Sequence, residues 1–370
     1  MDKQNPNNKV ELTHKSQRTL IIMCWAVYMF AYLGRYGYNS NVGPITEHYG
    51  IGELEFAIPS TFFFFAYGVG QILHGIMCKW YNLKFVIPIV LVISAILNIL
   101  IYFGIPFRCI KYLWLINGIC QSVLWPSLLL LLSQNLDGNH IKTAVVAMST
   151  TVSIGTVLAY GASGLFAIFS GFRYSFLTAS ICMAIVSVIW LLRYNYMVQG
   201  QKNSAKKKES VVDKTDMSIE TERKTTKNKS ITGILFLVVL YGAYAIITNF
   251  IKDGLHTWVP KILKDNYRLP NSLSIILTLV LPIFGVFGAT VAVLMNRKIK
   301  SCSDMIGLFF MVAALCMVLT AALFETEYWL PILILFGIIT MCMHGSNNAI
   351  TSILPLAYGK NTMLVCWADY

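Results

Sequence analysis

The chain has 370 residues, 56% of them hydrophobic and only 12% charged, with a mean hydropathy of +0.63 and a formal charge of +12. Soluble domains carry about 25% charged residues, so this composition cannot cover a water-facing surface. Disordered, collagen-like and nucleic-acid-binding classes fail on the same figures. The apolar residues fall into blocks of about 20–27, enough to cross a hydrocarbon core of about 30 Å as helices, and they predict an all-α polytopic membrane protein.

In chain order the predicted spans are 19–43, 56–78, 85–105, 111–134, 143–169, 173–195, 231–251, 272–296, 304–324 and 328–354, with an apolar start at 362–370. Residues 1–18 are polar and read as a cytoplasmic tail. No small-residue cleavage site follows the first apolar block, so that block reads as a retained anchor. Residues 199–230 hold nine Lys/Arg and five Asp/Glu and read as a charged cytoplasmic linker. It separates a six-helix bundle, 19–198, from a second bundle, 231–370.

With the N-terminus inside, twenty-one of the 29 Lys and Arg fall in cytoplasmic segments, seven in external loops and one, Arg35, inside the first span. That bias predicts a cytoplasmic N-terminus by the positive-inside rule and assigns most of the +12 to topology rather than to a nucleic-acid partner. The nine cysteines lie mostly within spans and form no CxxC or Cys/His spacing that suits a metal. They read as small apolar packers, and no cofactor or metal is expected.

The halves repeat each other at an offset of 217 residues. Arg35-x-Gly37 recurs as Lys252-x-Gly254, and Tyr67-Gly68-Val69 as Phe284-Gly285-Val286. Parallel repeats of this kind place a binding site between the halves near the bilayer midplane.

Arg35 is the principal candidate there. Only 15 residues, about 22 Å of helix, separate Leu20 from Gly34, which leaves Arg35 within the bilayer, where a cation is a functional candidate by default. The alternative is an offset span with Arg35 reaching the outer interface. Tyr28, Tyr32 and Arg35 share one helical stripe, and a guanidinium offers a planar donor fork to an oxyanion. Lys252 is the second cation. An ordinary helix-end position is open to it, and the adjacent Asp253 could neutralise it. Asn117, Gln121 and Trp125 form a polar stripe in the fourth span, and His344, Asn347 and Asn348 another in the tenth. Each could contact a solute or pin helices together by hydrogen bonds. The interiors of the predicted spans contain no Asp or Glu, which favours anion binding and exchange over proton symport. No P-loop, GxSxG or HExxH pattern occurs, so neither an ATP-driven engine nor an enzyme is expected.

On these residues the chain resembles the major facilitator superfamily, and more narrowly the organophosphate:inorganic phosphate antiporters, which include glycerol-3-phosphate and hexose-phosphate carriers. Tyr28-x-x-x-Tyr32-x-x-Arg35 is similar to the family's helix 1 motif, whose arginine binds phosphate. Asn117-Gly118-x-x-Gln121-x-x-x-Trp125-Pro126 resembles the helix 4 signature. Lys252-x-Gly254-x-x-x-Trp258-x-Pro260 resembles the end of helix 7, with Lys252 where the family has its second arginine. Leu354-Pro355-Leu356 and Tyr358-Gly359-Lys360 resemble the end of helix 10. Two positions depart from the pattern. Gln71 stands for the family's helix 2 lysine and Val152 for its helix 5 histidine, while the 75–84 loop lacks the superfamily's usual acidic and arginine residues.

The resemblance implies a two-bundle (6+6) transporter, of which this chain holds ten complete helices and the start of an eleventh. It also implies a plasma-membrane monomer that takes a small anionic solute and inorganic phosphate, with Arg35, Lys252, Tyr28, Tyr32, Gln121, Trp125 and Asn117 as site residues; the stripe in the tenth span adds His344 and Asn347 to the expected site. A proton-coupled carrier of a carboxylate, sugar or drug-like solute, working through His344, and a transport-inactive membrane sensor stand as alternatives.

Overall fold

The computed structural model describes residues 6–136, 138–199, 231–296, 298–299 and 301–350. The 200–230 linker and the 354–360 motif lie outside them. The described elements are α1 (Pro6–Asn39), α2 (Val42–Tyr49), α3 (Glu53–Met77), α4 (Leu83–Tyr102), α5 (Phe107–Ser122), α6 (Leu124–Asn135), α7 (Gly138–Phe169) and α8 (Arg173–Gln199). After the linker come α9 (Ile231–Tyr267), α10 (Asn271–Leu277), α11 (Val280–Met295), α12 (Cys302–Leu323) and α13 (Trp329–Asn348). Hydrocarbon leaves no partner for a free backbone N–H or C=O, which selects helices that satisfy their own groups. Among the described residues nine helical segments are long and apolar enough to cross a membrane. The remaining predicted span, 231–251, is the first part of α9. The chain is an integral multi-pass helical protein.

The helices outrun the apolar blocks. The polar tail is helical from Pro6, and Ser16 Oγ ties it to α8 by donating to the carbonyls of Tyr196 (3.0 Å) and Met197 (2.9 Å). α9 continues sixteen residues past the predicted end at 251, and it stops where Arg268 turns to φ 54° just before Pro270. Hydropathy marks where a helix leaves the bilayer, while its end needs a breaker.

Two predicted spans are each split in the structure. α5 gives way to α6 at Ser122–Leu124, four residues before Pro126, and α10 to α11 at Thr278–Val280, four before Pro282. A proline has no N–H for the carbonyl four residues back and crowds it sterically.

One apolar cluster joins α1 to α4–α8, and another joins α9 to α11–α13. In α1, 78% of the apolar window is buried, against 28% in α3 and in α12, so α1 is central and the other two present apolar faces outward. Phe65, Ile96, Leu192, Phe250, Met311 and Val318 are exposed on such faces, as lipid contact requires.

Close helix pairs meet at glycines. A Cβ on Gly118, Gly155 or Gly288 would strike the backbone carbonyl of Phe63, Met29 or Met341, fixing the α5/α3, α7/α1 and α11/α13 contacts. By contrast, Gly37 is buried yet would have no atom within 4 Å of an added Cβ, and Gly254, its mate 217 residues on, is equally open. Both border open space. Gly118→Ala and Gly288→Ala are therefore predicted to cost about 1–3 kcal/mol through overpacking, read as a lower melting midpoint of the detergent-purified protein. Gly37→Ala should leave that midpoint unchanged.

Candidate functional site

The halves meet at residues one repeat apart. Tyr36 OH donates to Asp253 Oδ1 (2.8 Å), and Glu47 pairs with Lys264; both pairs are 217 residues apart, the offset of the repeat. α1 and α9 therefore meet there, with Arg35 and Lys252 one residue before the Tyr36–Asp253 contact on its two sides.

Arg35 is 5% exposed, so it does not reach an interface. Its Nε donates to Gln121 Oε1 (3.1 Å) on α5, and Gln121 Nε2 donates in turn to Asn117 Oδ1 (3.2 Å). The guanidinium carbon lies 4.2 Å from the Tyr67 ring centroid, 4.5 Å from Tyr32 and 5.0 Å from Phe63. An intramembrane arginine costs about 2.5–3.5 kcal/mol on the insertion scale. One charged hydrogen bond, worth about 1.5–3 kcal/mol, and ring contacts of about 0.5–2 kcal/mol each are enough to offset it. No carboxylate pairs with Arg35 among the described residues, and its Nη2 and the Nδ2 of Asn117 lack acceptors. The site thus holds an unneutralised cation with unused donors.

Around it stand aromatic rings. Tyr28 packs on Trp125 at 4.7 Å and on Tyr32 at 5.1 Å, and its hydroxyl is 3.2 Å from that of Tyr67. Gln71, in the position where the resemblance implies a lysine, donates to the Tyr67 hydroxyl (2.8 Å). It contributes a neutral donor to the same network.

In the other half, Lys252 Nζ donates to Asn249 Oδ1 (2.7 Å) and lies 3.6 Å from Asp253 Oδ1. The two cations are held alike, each by the residue three positions earlier: Arg35 by the ring of Tyr32, Lys252 by the amide of Asn249. Tyr32 is within electrostatic reach of Arg35, Lys252 and Asp253 together. Beyond Lys252, the His256 ring meets Tyr36 at 5.8 Å and His344 at 6.3 Å, and Tyr160 OH donates to the His256 carbonyl. Asn347 is half-buried one turn along α13 and engaged with neighbours of its own, while Asn348 pins α13 to α11 through the Ala289 carbonyl (3.1 Å).

Tyr28, Tyr32, Arg35, Asn117, Gln121 and Trp125 therefore lie together on one side, and Lys252 with His344 on the other. The absence of acidic residues from the interiors of the predicted spans does not carry over to the site, because the helical continuation of α9 brings Asp253 into it. Tyr36, Tyr160 and His256 also belong to the site without having been singled out from sequence, and Tyr67 had been marked only by the repeat. For Tyr36 the signal was present, since it stands 217 residues before Asp253.

At the end of α1 away from the N-terminus the halves are latched. Glu47 takes both Lys264 and Asn271 Nδ2 (2.7 Å), Lys261 bridges Glu53 (3.3 Å) and Asp265 (2.9 Å), and Asn39 Nδ2 donates to Thr257 Oγ1 (3.0 Å). These contacts tie the two halves together on that face.

A polytopic helical protein whose two halves meet around a charged, tyrosine-lined cluster has the architecture of a membrane transporter. The chain belongs to the Major Facilitator Superfamily, whose profile matches residues 24–365. Among curated relatives it is 25% identical over 175 residues to the membrane sensor protein UhpC of Escherichia coli, covering 47% of this chain and 40% of that protein. It is 25% identical over 288 residues to sugar phosphate exchanger 3 of Xenopus laevis, covering 68% and 56%. The matches thus span less than two thirds of each relative. In fold it is similar to a bacterial homolog of the human lysosomal transporter Spinster (TM-score 0.71, 14% identity, 96% of this chain and 78% of that one). It is also similar to the xylose transporter XylE of E. coli (TM-score 0.65, 13% identity, 94% and 89%).

The latch yields a test. Glu47→Lys should open the far face and raise the reactivity of a cysteine placed at Thr257 toward an impermeant thiol reagent added from that side. The double change Glu47→Lys/Lys264→Glu should return it to the starting rate.

Proposed function

We propose that the protein is a secondary carrier that exchanges a small organic anion, a phosphate ester, for inorganic phosphate by alternating access. The observation that carries this reading is the Arg35 guanidinium, buried, free of any carboxylate partner among the described residues and left with an unused Nη2 donor. A dianionic phosphoryl group would supply the missing acceptors in bidentate geometry. Lys252 approaches the same group from the other half, and Tyr28, Tyr32, Asn117, Gln121 and Trp125 shape the pocket. The name of the sugar phosphate exchanger points to the same chemistry in a relative.

Asp253 supplies the coupling. Without a solute it partly neutralises Lys252 and accepts the hydrogen bond from Tyr36 of the other half. An anion on Lys252 competes with that carboxylate, so occupancy of the site and closure of the latched face act on one residue. In this scheme residues 19–198 and 231–370 move as two bundles tethered by the 199–230 linker, in a monomer. By the positive-inside rule the N-terminal face is cytoplasmic, and the latched face is external. The conformation described is then closed to the outside.

A second reading, a sensor that binds the anion without moving it, is favoured by the name of the other curated relative. One experiment separates the two: counterflow of labelled phosphate into phosphate-loaded liposomes, with binding measured in parallel. The carrier reading expects flux, and Arg35→Ala and Lys252→Ala each to lower it roughly thirtyfold or more, the range for truncating one partner of a buried charge pair. Binding without flux in the unaltered protein would support the sensor. Unaltered exchange in both variants would sink the proposed anion site.

A further inference from the structure

Three polar atoms on the α9/α13 side of the site are buried and lack partners: Thr248 Oγ1, His256 Nδ1 and His344 Nε2. They are not scattered. Thr248, Lys252 and His256 follow at four-residue steps, one face of α9, and are 0%, 6% and 1% exposed. His344 closes on that face from α13, its ring perpendicular to that of His256 at 6.3 Å. It is held in place from behind, because any side chain at Gly285 would strike its ring at 2.9 Å. Leaving a buried polar atom unpaired costs about 1–3 kcal/mol, and three on one wall mark a surface whose partners arrive with a ligand.

The chemistry of the wall differs from that around Arg35. Arg35 and Lys252 offer donors only, which suits an oxyanion. Beside Lys252, the neutral imidazole is the form that adds no second positive charge to the site. A neutral imidazole has one donor and one acceptor nitrogen, and a threonine hydroxyl is both donor and acceptor. The ligand group that matches such a surface is another hydroxyl, which must give and take a hydrogen bond at once. A phosphoryl oxygen can only accept.

The geometry points to Thr248, His256 and His344 as the specificity-determining wall of the site, reading hydroxyl groups on the organic part of the anion while Arg35 and Lys252 hold its charge. This rests on the anion-exchange reading above and adds an orientation to it: charged end toward α1, hydroxylated end toward α9 and α13.

The test compares two esters of nearly equal shape, glycerol phosphate and n-propyl phosphate, the second lacking both free hydroxyls. The full chain is reconstituted in phosphate-loaded liposomes, and the uptake ratio of the two is measured beside phosphate self-exchange. The unaltered protein is expected to prefer glycerol phosphate. Thr248→Val, which is nearly isosteric, and His256→Leu and His344→Leu should each lower the ratio roughly threefold to tenfold, the worth of one hydrogen bond. His256→Asn and His344→Asn, which restore a donor and an acceptor, should recover it. A ratio unchanged in Thr248→Val and in the folded histidine variants overturns the inference, as does a parallel loss of both esters or an unaltered protein that takes propyl phosphate as readily. If the unaltered protein shows ester preference and phosphate self-exchange while the ratio stays fixed, the anion reading survives alone. If it exchanges and binds neither ester nor phosphate, both fall.

Discussion

The structure turns on a guanidinium buried among membrane helices with no carboxylate partner among the described residues. Arg35 is solvated by the faces of Tyr32, Tyr67 and Phe63 and by one amide oxygen, that of Gln121. Rings and an amide stabilise a cation without neutralising it. A carboxylate in the same place would satisfy it fully and leave nothing for a ligand to add. The surrounding order follows from that requirement. Gln121 is oriented by Asn117, Tyr67 is shared between Tyr28 and Gln71, and the α5/α3 and α7/α1 contacts are drawn close at Gly118 and Gly155.

The second half answers this asymmetrically. Lys252 occupies the position related by the repeat, but it sits beside a carboxylate and under an amide rather than under rings. The difference suits a division of labour in the proposed carrier, with a permanent anion receptor on α1 and an adjustable one on α9. Asp253 serves both the Lys252 environment and the Tyr36 hydrogen bond, so the element that would sense a ligand also belongs to the contact that joins the halves.

Much of the fold was legible because a bilayer imposes a simple rule. Apolar blocks of sufficient length are helices, and the predicted spans correspond to helices throughout the described residues. The misjudged boundaries share one cause. At 6–18 and 252–267 the chain leaves the apolar stretch but meets no breaker, so the helix continues; at Ser122 and Thr278 a proline four residues on interrupts a uniformly apolar segment. Extending α9 carried Asp253 and His256 into the site, and these are the groups that hydropathy alone had assigned to a loop.

By itself the sequence determined the class of protein, the succession of spans, the repeat at 217 residues and the stripe of Tyr28, Tyr32 and Arg35, since each depends on composition or on spacing along one chain. The tertiary structure decided which groups face Arg35 and Lys252. Tyr67, Phe63 and Gln121 come from other helices, Tyr36 and Asp253 meet between the halves, and the imidazole of His344 is set against His256 by Gly285. Helical period tells which residues share a stripe. Which stripes face each other depends on how each helix is rotated and how closely it packs, and contacts between distant parts of the chain set both.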